Sequence, residues 1–391
     1  MKTKKLLALV LALALVMGLA LTGCGGGGGG DVGDGDTYKI GMVTPLTGNV
    51  SVYGIAVKNA AVMAMEEINA AGGINGKMVE FVIMDDKGDS AEGVSAFNKL
   101  ISDGVSVILG PVISGVTGAV TSIANSEQIV MLTPTSTADN ITTESDYVFR
   151  SCFKDSYQGY MGAKFLAENG YKKAAALYCA GDAYSKGLRD AFVAAAPEFG
   201  IEVVVDEASS SMDDTDFTTQ ATKIAAAGAD CLFAAYYYNA AGPYIIPQAR
   251  AAGFTGAVMG PDGFDGIIPD YVTGNMEDYN NVFFTNHYST EEEKAIVQDF
   301  IKNYREKYNE TPNALAALGY DGAYMLFQAI GKAGTTDAPA VKAALDYMEF
   351  EGVTGTFVLD ETGTPAKSVA ITELYADDQG GVSQKFNKTQ D

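Results

Sequence analysis

The 391-residue sequence predicts an α/β protein built from two doubly wound parallel-sheet domains. Three observations carry this reading. A strand–loop–helix pattern repeats through the first half of the chain and then restarts in the second. The strand segments are runs of Val, Ile, Leu and Met with little alternation, as in parallel strands covered on both faces. No Pro/Gly/Ser-rich linker separates the halves, so the chain passes between them without a floppy segment.

The elements follow in order. Tyr38–Thr44 is a strand, and the helix over about Val52–Ala71 carries Val57, Ala61, Ala64, Met65 and Ile68 on one face before stopping at Gly72-Gly73. Val79–Asp85, Val105–Leu109 and Ile129–Leu132 are the next strands, with a helix beginning near Ser114. After a helix following Tyr157, the pattern resumes with strand Ala174–Tyr178, a helix after Ala183, strand Ile201–Asp206 and helix Phe217–Ala227. Strand Cys231–Ala235, a helix running to Ala252 and strand Ala257–Met259 complete this half. Two long helices, near Glu291–Lys307 and Ala314–Lys332, precede a last strand pair around Thr356–Leu359 and Val369–Leu374.

The N-terminus points to a compartment. Lys2, Lys4 and Lys5 precede an uncharged apolar run, Leu6–Leu21. That run is shorter than the roughly 20 residues of a spanning helix, and it fits the apolar region of an export signal. It ends in Leu21-Thr22-Gly23-Cys24, which resembles a bacterial lipobox whose cysteine is acylated and becomes the mature N-terminus. The glycine run Gly25–Gly30 follows with no strand before it, so it reads as a tether and not as a phosphate-binding loop.

Charge and composition exclude several functions. Residues 1–23 hold three Lys and no acid, which leaves 23 basic against 49 acidic side chains in the remainder, a formal net charge of −26. A surface that acidic does not hold nucleic acid or an anionic membrane by charge. Beyond Cys24, the cysteines are Cys152, Cys179 and Cys231, an odd number at no metal-like spacing, with apolar neighbours that favour buried thiols. His287 is the only histidine, which argues against Ser-His-Asp, Cys-His and multi-His metal chemistry. No G-x-x-x-x-G-K-[ST] motif is present for ATP. No cofactor is expected, and enzyme activity is not.

In parallel α/β sheets, ligands bind beyond the carboxyl ends of the strands. Those segments here are 45–53, 110–114, 133–137, 180–184, 236–239 and 260–262, rich in Ser, Thr, Tyr and Asp. Ser114 begins a helix, where free backbone N–H groups and the helix dipole favour an anion. Thr137 adds a hydroxyl donor. Together they suit a carboxylate, although Ser114 also serves as a plain helix cap.

Eight segments in order resemble the leucine/isoleucine/valine-binding type of periplasmic binding proteins of ABC transporters. They are IGMVTPLTGNVSVYG, INAAGGINGKMVEFVIMDD, VILGPVISG, MLTPTSTADNIT, FRSCFKDSYQG, GDAYSKGL, the QARAAG–MGPDG pair and ALGYDGAY, and the resemblance spans Tyr38 to about Tyr375. It implies a type I periplasmic binding protein with two lobes, joined by a hinge that the chain crosses several times. The expected divisions are signal peptide 1–23, tether 24–36, one lobe from 37–154 with 287–364, and the other from 155–286 with 365–391. It also implies a monomer, tethered to the membrane through Cys24, that closes around a small amino acid and delivers it to a permease. A sensing module of the same fold, docking to a signalling receptor, remains the alternative.

The resemblance assigns ligand contacts residue by residue. Ser114 and Thr137 would hold the α-carboxylate, the Thr135 carbonyl would be a second acceptor for the ammonium, and Ser136 between them is a further ligand-binding residue. Asp262 in GPDG stands where the family has its ammonium-binding acid, but it is Asp where well-known members have Glu, one methylene shorter. Its other reading is a turn residue bonding its own backbone. Tyr53, Tyr184, one of Tyr236–Tyr238 (Tyr237 chosen) and Tyr320 match the aromatic wall, although aromatics at helix starts often pack into cores. Asp321 reads as a structural hydrogen-bonding residue, with a place in the ammonium site as its alternative. The family's disulfide positions correspond here to Gly88 and Ile113, so that bridge is not expected.

Overall fold

The computed structural model describes residues 37–390; the export signal, Cys24 and the glycine tether lie outside the described residues. The first sheet has the order β2-β1-β3-β4-β5, from β1 (Thr37–Thr44), β2 (Met78–Asp85), β3 (Val107–Leu109), β4 (Val130–Thr133) and β5 (Val148–Arg150). All its pairings are parallel. Ile40, Met42, Val107, Leu109, Val130 and Leu132 are fully buried, the consequence of helices on both faces. Those helices include α1 (Ser51–Ala70), α2 (Ser90–Ser102) and α3 (Ser114–Ser126). Asp89 caps α2, its carboxylate accepting the amides of Ala91 and Glu92.

The second sheet runs β14-β13-β10-β9-β8-β6-β7. Its parallel part is β6 (Lys173–Cys179), β7 (Glu202–Ser209), β8 (Cys231–Ala235), β9 (Ala257–Gly260) and β10 (Val282–Asn286). Helices α4 (Asp155–Glu168) and α5 (Ala183–Ala195) pack tightly together on it. Gly159 allows this approach, since a Cβ there would stand 2.6 Å from the Ala191 Cβ. Cys152, Cys179 and Cys231 are buried and unbridged. Burial pushes the Cys152 thiol up to about 12.

After β10 the chain returns to the first sheet. There α6 (Ala295–Tyr308), α7 (Ala314–Ala333) and α8 (Ala338–Leu345) precede the hairpin β11 (Glu349–Gly352) and β12 (Gly355–Val358). The packing of α7 against α1, and of Phe350 and Phe357 into the cluster holding Val107 and Leu109, fixes this return. The final strands, β13 (Val369–Ala376) and β14 (Val382–Gln390), rejoin the second sheet as an antiparallel edge.

This arrangement corrects the expected terminal strand pair. The segment at 355–358 does not pair with the one at 369–376: its partner is β11, and β13 lies between β10 and β14. Phe350 and Phe357 share one apolar cluster, while Val369, Ile371 and Leu374 belong to the core of the other sheet. Strands β5, β10 and β14 and the hairpin partner β11 are additional to the sequence expectation.

Candidate functional site

The chain leaves β3 through Gly110, whose φ of +104° is a conformation only glycine adopts readily; a Cβ there would also stand 2.1 Å from the Val43 carbonyl. It then reaches Ser114 at the start of α3. Ile113 precedes the helix and supplies no side-chain cap, so the first-turn amides have no intrahelical acceptor. The Ser114 hydroxyl accepts the Ala138 amide at 3.3 Å, which holds the loop after β4 against this helix end. Arg150, fully buried, braces that loop from below by donating to the carbonyls of Ser136 (3.2 Å) and Ala138 (3.0 Å) and to the Thr142 hydroxyl (3.1 Å).

On the other side, the turn after β9 carries Asp262. Its Oδ1 accepts from the Tyr184 hydroxyl (2.6 Å) and the Gln158 amide (3.1 Å). Its Oδ2 lies 2.9 Å from His287 Nε2. Gln158 in turn accepts the Asp262 backbone amide (2.9 Å) and the Thr285 hydroxyl (2.7 Å). The acid is thus buried but surrounded by donors. Two other buried acids lie near it: burial pushes the Asp155 and Asp265 carboxyls up, and the charge of Asp262 adds to both shifts.

Between these walls lies a cavity with about 290 Å³ of free space, its mouth included, lined by Tyr53, Val112, Ile113, Ser114, Thr135, Tyr184, Tyr237, Asp262, Gly263 and Leu315. The tyrosines interlock. Tyr237 stacks on Tyr184 (4.7 Å, 20°) and meets Tyr53 edge-on (5.7 Å, 85°). Burial raises the hydroxyl pKa of all three, so they act as neutral donors. The Tyr53 hydroxyl donates to the Gly263 carbonyl, and the Tyr238 hydroxyl donates to the Asn49 carbonyl at 3.0 Å, so each contact spans from one sheet's loops to the other's. Tyr53, Val112, Ile113, Val116 and Leu315 share one apolar cluster with residues of the second sheet.

Six of the nine residues named from the sequence line this cavity: Tyr53, Ser114, Thr135, Tyr184, Tyr237 and Asp262. Of the tyrosine triplet, Tyr236 instead enters the core, its hydroxyl 2.7 Å from Ser209 Oγ, and Tyr238 packs on Tyr53 and Tyr271. Ser136 builds the loop, sharing its hydroxyl with Thr117 Oγ1 at 2.6 Å. Thr137 lies behind the lining, its buried side chain beside the Asp155 carboxyl.

Tyr320 is a correction. Its hydroxyl donates to Glu67 at 2.5 Å and its ring packs on Phe300 and Tyr324, away from the cavity. On α7 it lies five positions after the lining residue Leu315, a rotation of roughly 140° at about 100° per residue. Asp321 holds the β11–β12 turn, accepting the amides of Val353 and Thr354 at 2.8 Å each. Sequence reasoning missed Gln158, His287 and Leu315. Only the cap at Asn313, whose side chain accepts the Ala316 amide, marks Leu315 as a helix-start residue.

A family model described as periplasmic binding protein matches residues 37–380. The chain is 34% identical over 328 residues to Leu/Ile/Val-binding protein homolog 3 of Brucella melitensis, covering 83% of this chain and 87% of that protein. It is 31% identical over 331 residues to the leucine-, isoleucine-, valine-, threonine- and alanine-binding protein of Pseudomonas aeruginosa, covering 84% and 87%. The solved structure of the branched-chain amino acid transporter substrate-binding protein LivJ from Streptococcus pneumoniae, in complex with isoleucine, superposes with a TM-score of 0.82 at 32% identity, covering 90% of this chain and 99% of that one.

Proposed function

The chain belongs to the periplasmic binding protein family, and from that premise we propose that it is an extracytoplasmic lipoprotein that captures a small α-amino acid for an ABC-transporter permease. Leucine, isoleucine and valine are the favoured ligands, in keeping with the relatives' names. One observation carries the reading: an uncapped helix start at Ser114 and a buried carboxylate at Asp262 line one cavity whose remaining wall, Thr135 and Gly263 apart, is apolar and aromatic. A zwitterion matches this layout, carboxylate towards the helix amides and ammonium towards Asp262 and the Thr135 carbonyl. The lobes are 37–154 with 287–364 and 155–286 with 365–391; they open and close on the chain crossings, and the Tyr53–Gly263 and Tyr238–Asn49 contacts belong to the closed form.

A calorimetric screen of the twenty amino acids tests this. A branched-chain amino acid should bind, and at a hundredfold excess over Kd it should stabilise the fold by about 2.7 kcal/mol. Binding of short amides or aromatic acids with no amino acid response would refute it. Cys24→Ala should release the protein from membranes without altering affinity; retention on membranes would refute the lipid anchor.

A further inference from the structure

Asp262 is set between two stretches where the chain passes from one sheet to the other. His287 follows β10 directly, and the next residue, Tyr288, packs with α6 and α7. Phe153 lies on another such stretch, between β5 and α4. The two rings stack face to face, centroids 3.7 Å apart and 21° between planes. The imidazole is wholly buried, with Nε2 on Asp262 Oδ2 and no partner on Nδ1.

The tautomer follows from these contacts. An ionised carboxylate only accepts, so Nε2 carries the proton and Nδ1 is bare. Burial lowers the affinity of this ring for a second proton, against the opposing pull of Asp262, and Lys367 lowers it further. A neutral donor therefore faces Asp262. It completes a set in which all three side chains touching the carboxylate are donors: Tyr184 and Gln158 on Oδ1, His287 on Oδ2. Neighbouring Asp155 takes no part in this donor set, and Asp265 is held by the Ala314 amide and Asn286.

We propose that His287 is a specificity-determining positioning residue: as the neutral Nε2–H tautomer, clamped on Phe153, it donates to Oδ2 and holds the Asp262 carboxylate aimed, so that the site prefers a ligand bearing an ammonium over its neutral counterpart. The inference rests on the amino-acid reading for its ligand, while the tautomer does not. The donor on Oδ2 leaves that oxygen further lone-pair capacity for the ligand.

With one histidine, the untagged protein gives a single imidazole in long-range ¹H–¹⁵N spectra. At pH 7 the expected pattern is Nε2–H with bare Nδ1, altered by Asp262→Asn. Calorimetry then compares L-leucine with its desamino analogue, 4-methylpentanoate. His287→Leu should weaken leucine about tenfold or more, the worth of a charge-assisted hydrogen bond, and shift 4-methylpentanoate less than about threefold. His287→Gln, which keeps an N–H donor, should recover most of the loss. Equal weakening of both ligands, or an Nδ1–H or cationic ring in the wild type, overturns the proposal. Should wild type bind neither probe, the branched-chain reading falls and the spectrum alone decides the role of His287. Should His287→Leu fail to fold, the Gln variant and the spectrum still decide it.

Discussion

Replacing Asp262 by Asn tests the charge recognition at the centre of the site. Alanine is the poorer probe. It would leave three buried donors, on Tyr184, Gln158 and His287, without their acceptor. At about 1–3 kcal/mol per unsatisfied group, that approaches the 5–15 kcal/mol that typically holds a domain folded. Asn keeps Oδ1 for Tyr184 and Gln158 and removes only the charge and the Oδ2 acceptor. His287 can then shift its proton to Nδ1 and accept from the new amide. The loss falls on the ligand: a charge-assisted contact worth about 1.5–3 kcal/mol becomes a neutral one worth about 0.5–1.5, a difference of about 1–1.5 kcal/mol, so leucine should bind roughly 5- to 12-fold more weakly. Calorimetry on both proteins measures this, with 4-methylpentanoate as the control expected to change little. Leucine binding within about threefold of wild type would place the ammonium elsewhere, and a tighter fit of the desamino acid to the wild type would mean that the receptor serves carboxylates.

Arg150→Met should remove the brace under the loop after β4 and leave the Ser136 and Ala138 carbonyls with only their long contacts from the Cys152 thiol and the Ile141 amide (3.4 Å each), costing about 2–5 kcal/mol in urea unfolding; a loss under about 1 kcal/mol would refute the bracing role. Gly263→Ala should weaken ligand binding with the fold retained, because the new Cβ would stand 2.6 Å from the Tyr184 hydroxyl and drive it off Asp262; unchanged affinity by calorimetry counts against that geometry. Asp86 is buried with Oδ2 unpartnered, and burial raises its pKa from 3.8 to about 6. Between those values the folded state binds more protons than the unfolded one, so this group lowers stability as pH rises from about 4 to 6. Asp86→Asn should therefore stabilise by up to about 3 kcal/mol at pH 7, with the gain vanishing below about pH 4; a gain independent of pH would refute the cause.

The sequence by itself determined what depends on local pattern. The apolar runs Ile40–Val43 and Ala257–Met259 read as strands buried on both faces, and the helix starting at Ser114 is legible because a short polar residue follows a strand and a tight turn. The acid after β9 and the tyrosines at 53 and 184 lie in strand-end loops, where ligands in this topology bind, and the family resemblance singled them out within those loops. Tertiary structure decided what depends on which face meets which neighbour. Rotation along α7 takes Tyr320 to Glu67 and Phe300, away from the cavity that Leu315 lines. Strand β14 has mostly polar or charged residues and is held as the sheet's edge by pairing with β13, so apolar runs did not reveal it. The register of Tyr236–Tyr238 waited on Ser209, Tyr184 and Asn49 to claim one ring each. His287 is separated from Phe153 by 134 positions and from Asp262 by 25, so no local period links them. Only the return of the chain between the two sheets brings that ring against the acid, because hydrogen bonding and stacking act over a few ångströms of space, whatever the distance along the chain.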